Sequence, residues 1–265
     1  MEREQIRISV RNLVEFILRS GDIDNRRASL DTMEAMQAGS RLHRKIQKKM
    51  GSTYHAEVPL NIIIEEENYE LGIWGRADGI IIEETVTIDE IKGVYLSLDL
   101  LEEPVKVHLA QAKCYAYIYG IQNDLQKINV QMTYGNLDTG DLKYFSYEYS
   151  MQQLQEWFSD LILKYKKWAD FQYEWRKKRQ ASIKELAFPF PYREGQKELA
   201  AGVYRTIARK KNLFIQAPTG VGKTISTLYP AIKAVGEGLG DKIFYLTAKT
   251  VTANVAKETL GILCE

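Results

Sequence analysis

The stretch Ala217-Pro218-Thr219-Gly220-Val221-Gly222-Lys223-Thr224 constrains this chain more than any other. It follows an apolar run, Leu213-Phe214-Ile215-Gln216, and precedes residues with helical spacing. That strand–loop–helix context is the one in which a glycine-rich loop wraps a phosphate. Gly220 and Gly222 let the backbone turn so that its N–H groups converge on an anion, and the helix start adds its positive end. Thr219 and Val221 complete the turn, Lys223 can reach the β- and γ-phosphates, and Thr224 offers a hydroxyl to Mg2+. The generic pattern opens on Gly, where this chain has Ala217. A helix expected over 194–209, a strand over 212–216, a helix after the loop and a strand over 242–247 imply a parallel sheet of the doubly wound type.

Upstream the pattern differs. Residues 9–20 have helical spacing, with Ser9 as cap and Gly21 as stop, and a second helix is expected over 29–50. Runs rich in Ile, Val and Tyr at 54–65, 69–83 and 85–92 predict three strands, the middle one bent near Gly75. A helix over 104–120, strands over 127–134 and 142–149, and a long helix over 151–180 complete an α-β-β-β-α-β order with additions at both ends. In that long helix Trp157, Leu161, Tyr165 and Trp168 recur at core spacing. The basic run 176–179 followed by Pro189 and Pro191 marks a domain boundary, which divides the 265 residues into 1–182 and 188–265.

Charge is unevenly spread. Residues 56–103 carry thirteen acids against Arg76 and Lys92, whereas residues 164–211 carry fourteen Lys and Arg against five acids. Two solvated faces would explain this, and so would a carboxylate-rich metal site followed by a basic stretch that meets phosphate. Two cysteines cannot build a four-cysteine metal or iron–sulfur site. The charged N-terminus lacks a signal-peptide core, and no apolar run approaches the roughly 20 residues of a membrane helix. The expectation is a reduced, cytoplasmic protein with no membrane partner.

The acidic half holds a second constellation. Asp78, within Gly75-Arg76-Ala77-Asp78-Gly79, is followed by Asp89-Glu90-Ile91-Lys92. Strand alternation puts Glu90 and Lys92 on one face and turns Asp89 away, toward solvent or a helix. An Asp from one strand beside a Glu and a Lys from its neighbour makes a hard-oxygen site for Mg2+ or Mn2+ next to a fixed cation. That chemistry suits phosphodiester hydrolysis. On the next predicted helix His108, Gln111 and Tyr115 share a face, and His43 lies near the apolar stripe of an earlier one.

Together, His43, Gly75–Gly79 with Asp78, Glu90-x-Lys92 and Gln111-x-x-x-Tyr115 resemble the RecB-type branch of the PD-(D/E)XK nucleases. The resemblance covers residues 30–135 and implies a restriction-endonuclease-like αβββαβ core. It implies that Asp78 and Glu90 bind metal with His43, that Lys92 is catalytic, and that Gln111 and Tyr115 support the site and DNA. Some relatives carry an iron–sulfur cluster on four cysteines; with Cys114 alone here, none is expected.

Arg193-Glu194-Gly195-Gln196, the glycine-rich loop, and Thr247-Ala248-Lys249-Thr250 resemble the start of a superfamily 2 DNA helicase of the XPD/DinG type, over residues 188–265. The resemblance implies a RecA-like motor fold, ATP as cofactor, adenine contact by Gln196 within the motif that includes Arg193, and single-stranded DNA at Thr247, Lys249 and Thr250. No apolar run ending in Asp-Glu follows the loop, and no second motor domain is present. The expectation is the front portion of a longer helicase, or a truncated product of one, with no useful ATPase of its own. The intact protein would act on single-stranded or branched DNA. Two rivals stand beside this: a catalytically inactive nuclease fold that binds DNA and guides a helicase, and a P-loop ATPase acting on RNA or protein.

Overall fold

The computed structural model describes residues 3–21, 32–218 and 220–264. In chain order the elements are β1 (Glu4–Ser9), α1 (Val10–Ile17), α2 (Thr32–Gln47), β2 (Tyr54–Glu65), β3 (Tyr69–Ile81), β4 (Thr87–Val94), α3 (Lys106–Gln122), β5 (Lys127–Asn136), β6 (Leu142–Ser150), α4 (Met151–Lys184), α5 (Gln196–Ala208), α6 (Lys223–Gly236) and α7 (Thr250–Cys264). The α-β-β-β-α-β core is present as α2-β2-β3-β4-α3-β5. The fold is mixed α/β with a mixed sheet. Contacts divide the chain into two units, Met1–Asp170 and Phe171–Glu265, and α4 runs unbroken across the division.

The first unit is built on a six-stranded sheet in the order β1-β3-β4-β5-β6, with β2 also paired to β3. β1 had no counterpart in the periodicity. Its short Ile6 and Ile8 alternation is given strand character by parallel pairing with β3, from Glu4↔Tyr69 to Ser9↔Trp74. Ser9 ends it and starts α1, accepting a hydrogen bond from the Asn12 N–H at 3.1 Å. The middle strand is continuous through Gly75, as one strand of 13 residues. Ile6, Leu71, Ile73, Ile80, Ile88 and Ile118 are among the residues fully removed from water, each contributing about 1.5–3 kcal/mol of transfer free energy. α2 lays Leu42 and Ile46 on Ile91 of β4. The expected start of α2, at 29–31, lies outside the described residues. Leu161 and Tyr165 of α4 join the core as expected, but Trp168 is 42% exposed and meets Phe16 edge-on.

The second unit departs from expectation. Residues 171–184 of α4 belong to it, because Lys233 of α6 donates to the carbonyls of Ile183 and Lys184, and Arg179 donates to Asp241. The boundary expected at 180–190 therefore falls inside this unit; helical periodicity does not register where one core ends and the next begins. Helices α6 and α7 share a small core of Ile225, Leu228, Ala256 and Leu263. Residues 212–216 and 242–247, expected as parallel strands, form no ladder, and Phe214 and Leu246 are 97% and 89% exposed. A parallel strand gains its stability from neighbours on both edges and helices on both faces, and none of the described residues supplies those neighbours.

Candidate active site

β2 follows one edge of β3 from Tyr54↔Ile81 to Glu65↔Glu70. β1 and β4 must therefore share the other edge. β1 takes Tyr69 to Trp74, and β4 takes only Gly79 to Ile81, so residues 75–78 have no ladder partner there. β4 parts from β3 at the Gly79↔Asp89 pair and continues alongside β5, with Glu90↔Met132 and Lys92↔Tyr134. The fork exposes an unpaired backbone N–H on Ile91, and Asp78 Oδ2 accepts it at 2.8 Å. The other oxygen of Asp78 lies 3.4 Å from His43 Nδ1 of α2.

Both glycines around this aspartate are required by packing. A Cβ on Gly75 would lie 2.5 Å from the Tyr115 hydroxyl, and one on Gly79 would land on the Tyr54 ring. Tyr115 and Tyr54 thus press against the two ends of the unpaired segment.

On the opposite arm, Lys92 Nζ donates to Glu90 Oε1 at 2.6 Å and to Gln111 Oε1 at 3.3 Å. Gln111 Nε2 reaches the Tyr115 hydroxyl at 3.5 Å. The spacing Gln111-x-x-x-Tyr115 places both on the α3 face that meets Lys92. His108, one turn earlier, is hydrogen-bonded through Nδ1 to the Tyr134 hydroxyl at 3.0 Å, and that hydroxyl also accepts the Val105 N–H. Burial and the charge of Lys92 lower the His108 pKa to about 4, so its imidazole is neutral at neutral pH. Glu90 is fully buried, and its Oε2 has no hydrogen-bond partner among the described residues. Burial first, then the charge of Asp78, push its pKa up to about 8 against the pull of Lys92. A carboxylate in that setting is short of positive charge.

Asp89 requires a correction. It does face away from Glu90, but not toward solvent: it is 0% exposed. Its Oδ1 accepts from Thr133 Oγ1 at 2.5 Å and Gln131 Nε2 at 3.2 Å, and its Oδ2 accepts from the Tyr54 hydroxyl at 3.0 Å. Burial raises the Asp89 pKa, and the three donors oppose the rise. β5 and Tyr54 cover what alternation alone would leave open.

One acidic residue at the cleft was not singled out from the sequence. Glu57 of β2 stands between the Ala56↔Gly79 and Val58↔Ala77 pairs, opposite Asp78, with φ 57°. One ligand atom each from His43, Glu57 and Asp78 lies within 4.8 Å of the others. Gln47 of α2 ties the group together, donating to Glu57 Oε1 at 3.2 Å and to the Asp78 carbonyl at 3.0 Å. Glu57 is one of many acids in its segment; only strand pairing marks it out.

In the second unit, Gly220 and Gly222 have φ of 88° and 78°, a left-handed conformation that side chains disfavour. Gly222 caps α6, whose first two residues are Lys223 and Thr224. Lys223 folds back over the loop and donates to the carbonyls of Ala217 and Pro218 at 2.9 and 2.8 Å. Val221 is half-buried beside it; Thr219 lies outside the described residues. Gln196 is buried, accepts the Arg193 N–H at 3.0 Å, and approaches Gly222 closely, while the Arg193 guanidinium donates to the Gly220 carbonyl. Gln196, Arg193 and the loop thus form one group. Thr247 donates to the Lys249 carbonyl at 3.2 Å, and Thr250 opens α7, so these three form a local turn of their own. No helix among the described residues is long and apolar enough to cross a membrane.

No family model matches the chain. Over 51 residues it is 51% identical to the "Probable ATP-dependent helicase MJ0942" of Methanocaldococcus jannaschii, a match covering 19% of this chain and 8% of that protein's length. Among solved structures it is similar to the crystal structure of SSO0001, with TM-score 0.38 and 19% identity, covering 62% of this chain and 78% of that one. It is also similar to that of an alkaline exonuclease from Laribacter hongkongensis, with TM-score 0.41 and 15% identity, covering 64% and 92%.

Proposed function

We propose that the cleft at the β3–β4 fork is the active site of a metal-dependent DNA nuclease domain built on the first unit, Met1–Asp170. Residues 188–265 carry, on the same reading, nucleotide-binding elements of a helicase motor. The observation that carries the nuclease reading is the fork itself. It brings Asp78 from one strand to the arm bearing Glu90 and Lys92, with His43 and Gln111 on the helices that close it. The helicase reading rests on the grouping of Gln196 and Arg193 with the loop, and is supported by the partial match to a protein named as a helicase.

The residues present fit a divalent cation. Carboxylates and one imidazole converge at the fork, and Glu90 Oε2 has no hydrogen-bond partner among the described residues. His43, Asp78 and Glu90 would hold Mg2+ or Mn2+. When bound, such an ion acidifies water and withdraws charge from a phosphate. The chain's own contribution is positioning. Lys92, held by Glu90 and Gln111, presents its ammonium where negative charge grows on the phosphate during attack. Tyr115 fixes Gln111 and, through Gly75, the start of the unpaired segment. In the second unit Lys223 would exchange two carbonyls for nucleotide phosphates, and Thr224 would hold Mg2+.

The test is cleavage of labelled single-stranded DNA by the full chain in Mg2+ or Mn2+, with EDTA as control. Asp78→Ala, Glu90→Ala and Lys92→Ala should each slow cleavage at least about a hundredfold, the lower range for losing an acid–base or electrostatic group. DNA binding without cleavage in either metal would favour the inactive, DNA-guiding module instead.

A further inference from the structure

Among the described residues, the side chains at the fork whose ligand atoms come within 4.8 Å of one another are those of His43, Glu57 and Asp78. We propose that Glu57 is a metal ligand of this site, and that Arg76 is its resting counter-ion, displaced when the cation enters. This rests on reading the cleft as a metal-dependent site.

The placement of Glu57 follows from strand geometry. Glu57 stands between the Ala56↔Gly79 and Val58↔Ala77 pairs, and a carboxylate oxygen of it lies within 4.8 Å of ligand atoms of both Asp78 and His43. Its left-handed backbone, with φ 57°, is unfavourable for a residue with a side chain. Gln47 holds both neighbours from α2, donating to a Glu57 oxygen and to the Asp78 backbone. A second feature points to a missing cation independently. Glu90 is wholly buried, and its Oε2 has no hydrogen-bond partner among the described residues. Protein donors leave that side of the site unsatisfied.

Arg76 occupies the position a cation would compete for. Its Nε lies 2.6 Å from Glu57 Oε2, and the two side chains are 67% and 41% exposed. A half-exposed ion pair of this kind is weak. A divalent ion drawn by two carboxylates and an imidazole replaces it readily. Arg76 is two residues from Asp78 and so shares its face of β3. Once released, its guanidinium remains at the cleft, with the fork geometry that suits a phosphate. Entry of the metal and readiness of a phosphate-binding arginine are thereby linked.

The experiment is Mn2+ binding to the full chain at neutral pH, by calorimetry and by loss of the free-ion paramagnetic resonance signal. Wild type, Asp78→Asn, Glu57→Gln and Arg76→Gln are compared, each with its urea midpoint. Binding lost in Asp78→Asn identifies the cleft. Glu57→Gln should weaken that binding by about ten- to a hundredfold, since even outer-shell partners count for that much. Arg76→Gln should strengthen it about two- to fivefold, the range of a half-exposed ion pair. A merely structural Glu57–Arg76 pair predicts lowered urea midpoints and unchanged affinity in both, which would overturn the assignment. So would affinity that falls in Arg76→Gln, or a wild type that binds no Mn2+ at the cleft. Opposite shifts in the two variants without any DNA cleavage would leave Glu57 a ligand while removing the nuclease reading.

Discussion

Asp89→Ala tests whether the polar network behind the fork holds the sheet together. The substitution strands three donors. Thr133 is fully buried, and losing its 2.5 Å partner should cost about 1–3 kcal/mol. Tyr54 and Gln131 retain some access to water and should lose about 0.5–1 kcal/mol each. The net loss is about 2–5 kcal/mol, a large part of the roughly 5–15 kcal/mol that holds a typical domain folded. Asp89→Asn keeps an oxygen for Thr133 and Gln131 and turns its amide toward the Tyr54 oxygen, so its cost should stay below about 1.5 kcal/mol. The assay is urea unfolding of the full chain followed by tryptophan fluorescence and circular dichroism, alongside Mn2+ binding by the folded variants. Asp89→Asn should bind Mn2+ as wild type does, because its side chain lies on the face away from Glu90. An Asp89→Ala protein within about 0.5 kcal/mol of wild type would refute the network's structural role. A normally stable Asp89→Asn that loses Mn2+ would refute the assignment of faces.

Glu90 should give stability a pH dependence. Its folded pKa is raised from 4.5 to about 8, so across that window the folded chain holds a proton that the unfolded chain has released. Stability is therefore fullest below 4.5 and falls as pH rises toward about 8; Glu90→Gln should flatten this decline, and parallel curves for the two proteins would count against the burial argument. Gly79→Ala should cost about 1–3 kcal/mol in urea unfolding, because its Cβ displaces the Tyr54 ring and with it a donor to Asp89. Gly222→Ala forces a side chain into φ 78° and brings Cβ to 2.5 Å from Gln196 Nε2. Titration with a fluorescent ATP analogue should show affinity lowered at least about fivefold, the smaller end of a left-handed backbone penalty.

What the amino-acid sequence determined by itself was whatever depends on near neighbours. Apolar spacing gave α2, β2 to β6, α3 and α4, since a helix or strand presents its period whether or not its partner is known. Alternation separated Glu90 and Lys92 from Asp89, and the glycines of the 217–224 loop announced its left-handed turns. The tertiary structure decided everything that needs a second segment. β1 is a strand only because β3 pairs with it, and residues 212–216 and 242–247 form no ladder because nothing described here pairs with them. The division at Asp170 is invisible in the even periodicity of α4. Asp89 is buried because β5 and Tyr54 cover a face whose covering alternation cannot report. Glu57 reaches Asp78 through a pairing register between residues twenty-one apart, in a backbone conformation its own side chain disfavours. Local pattern fixes which side of an element a residue lies on; only packing fixes what lies opposite it, and the chemistry of this cleft is made of opposites.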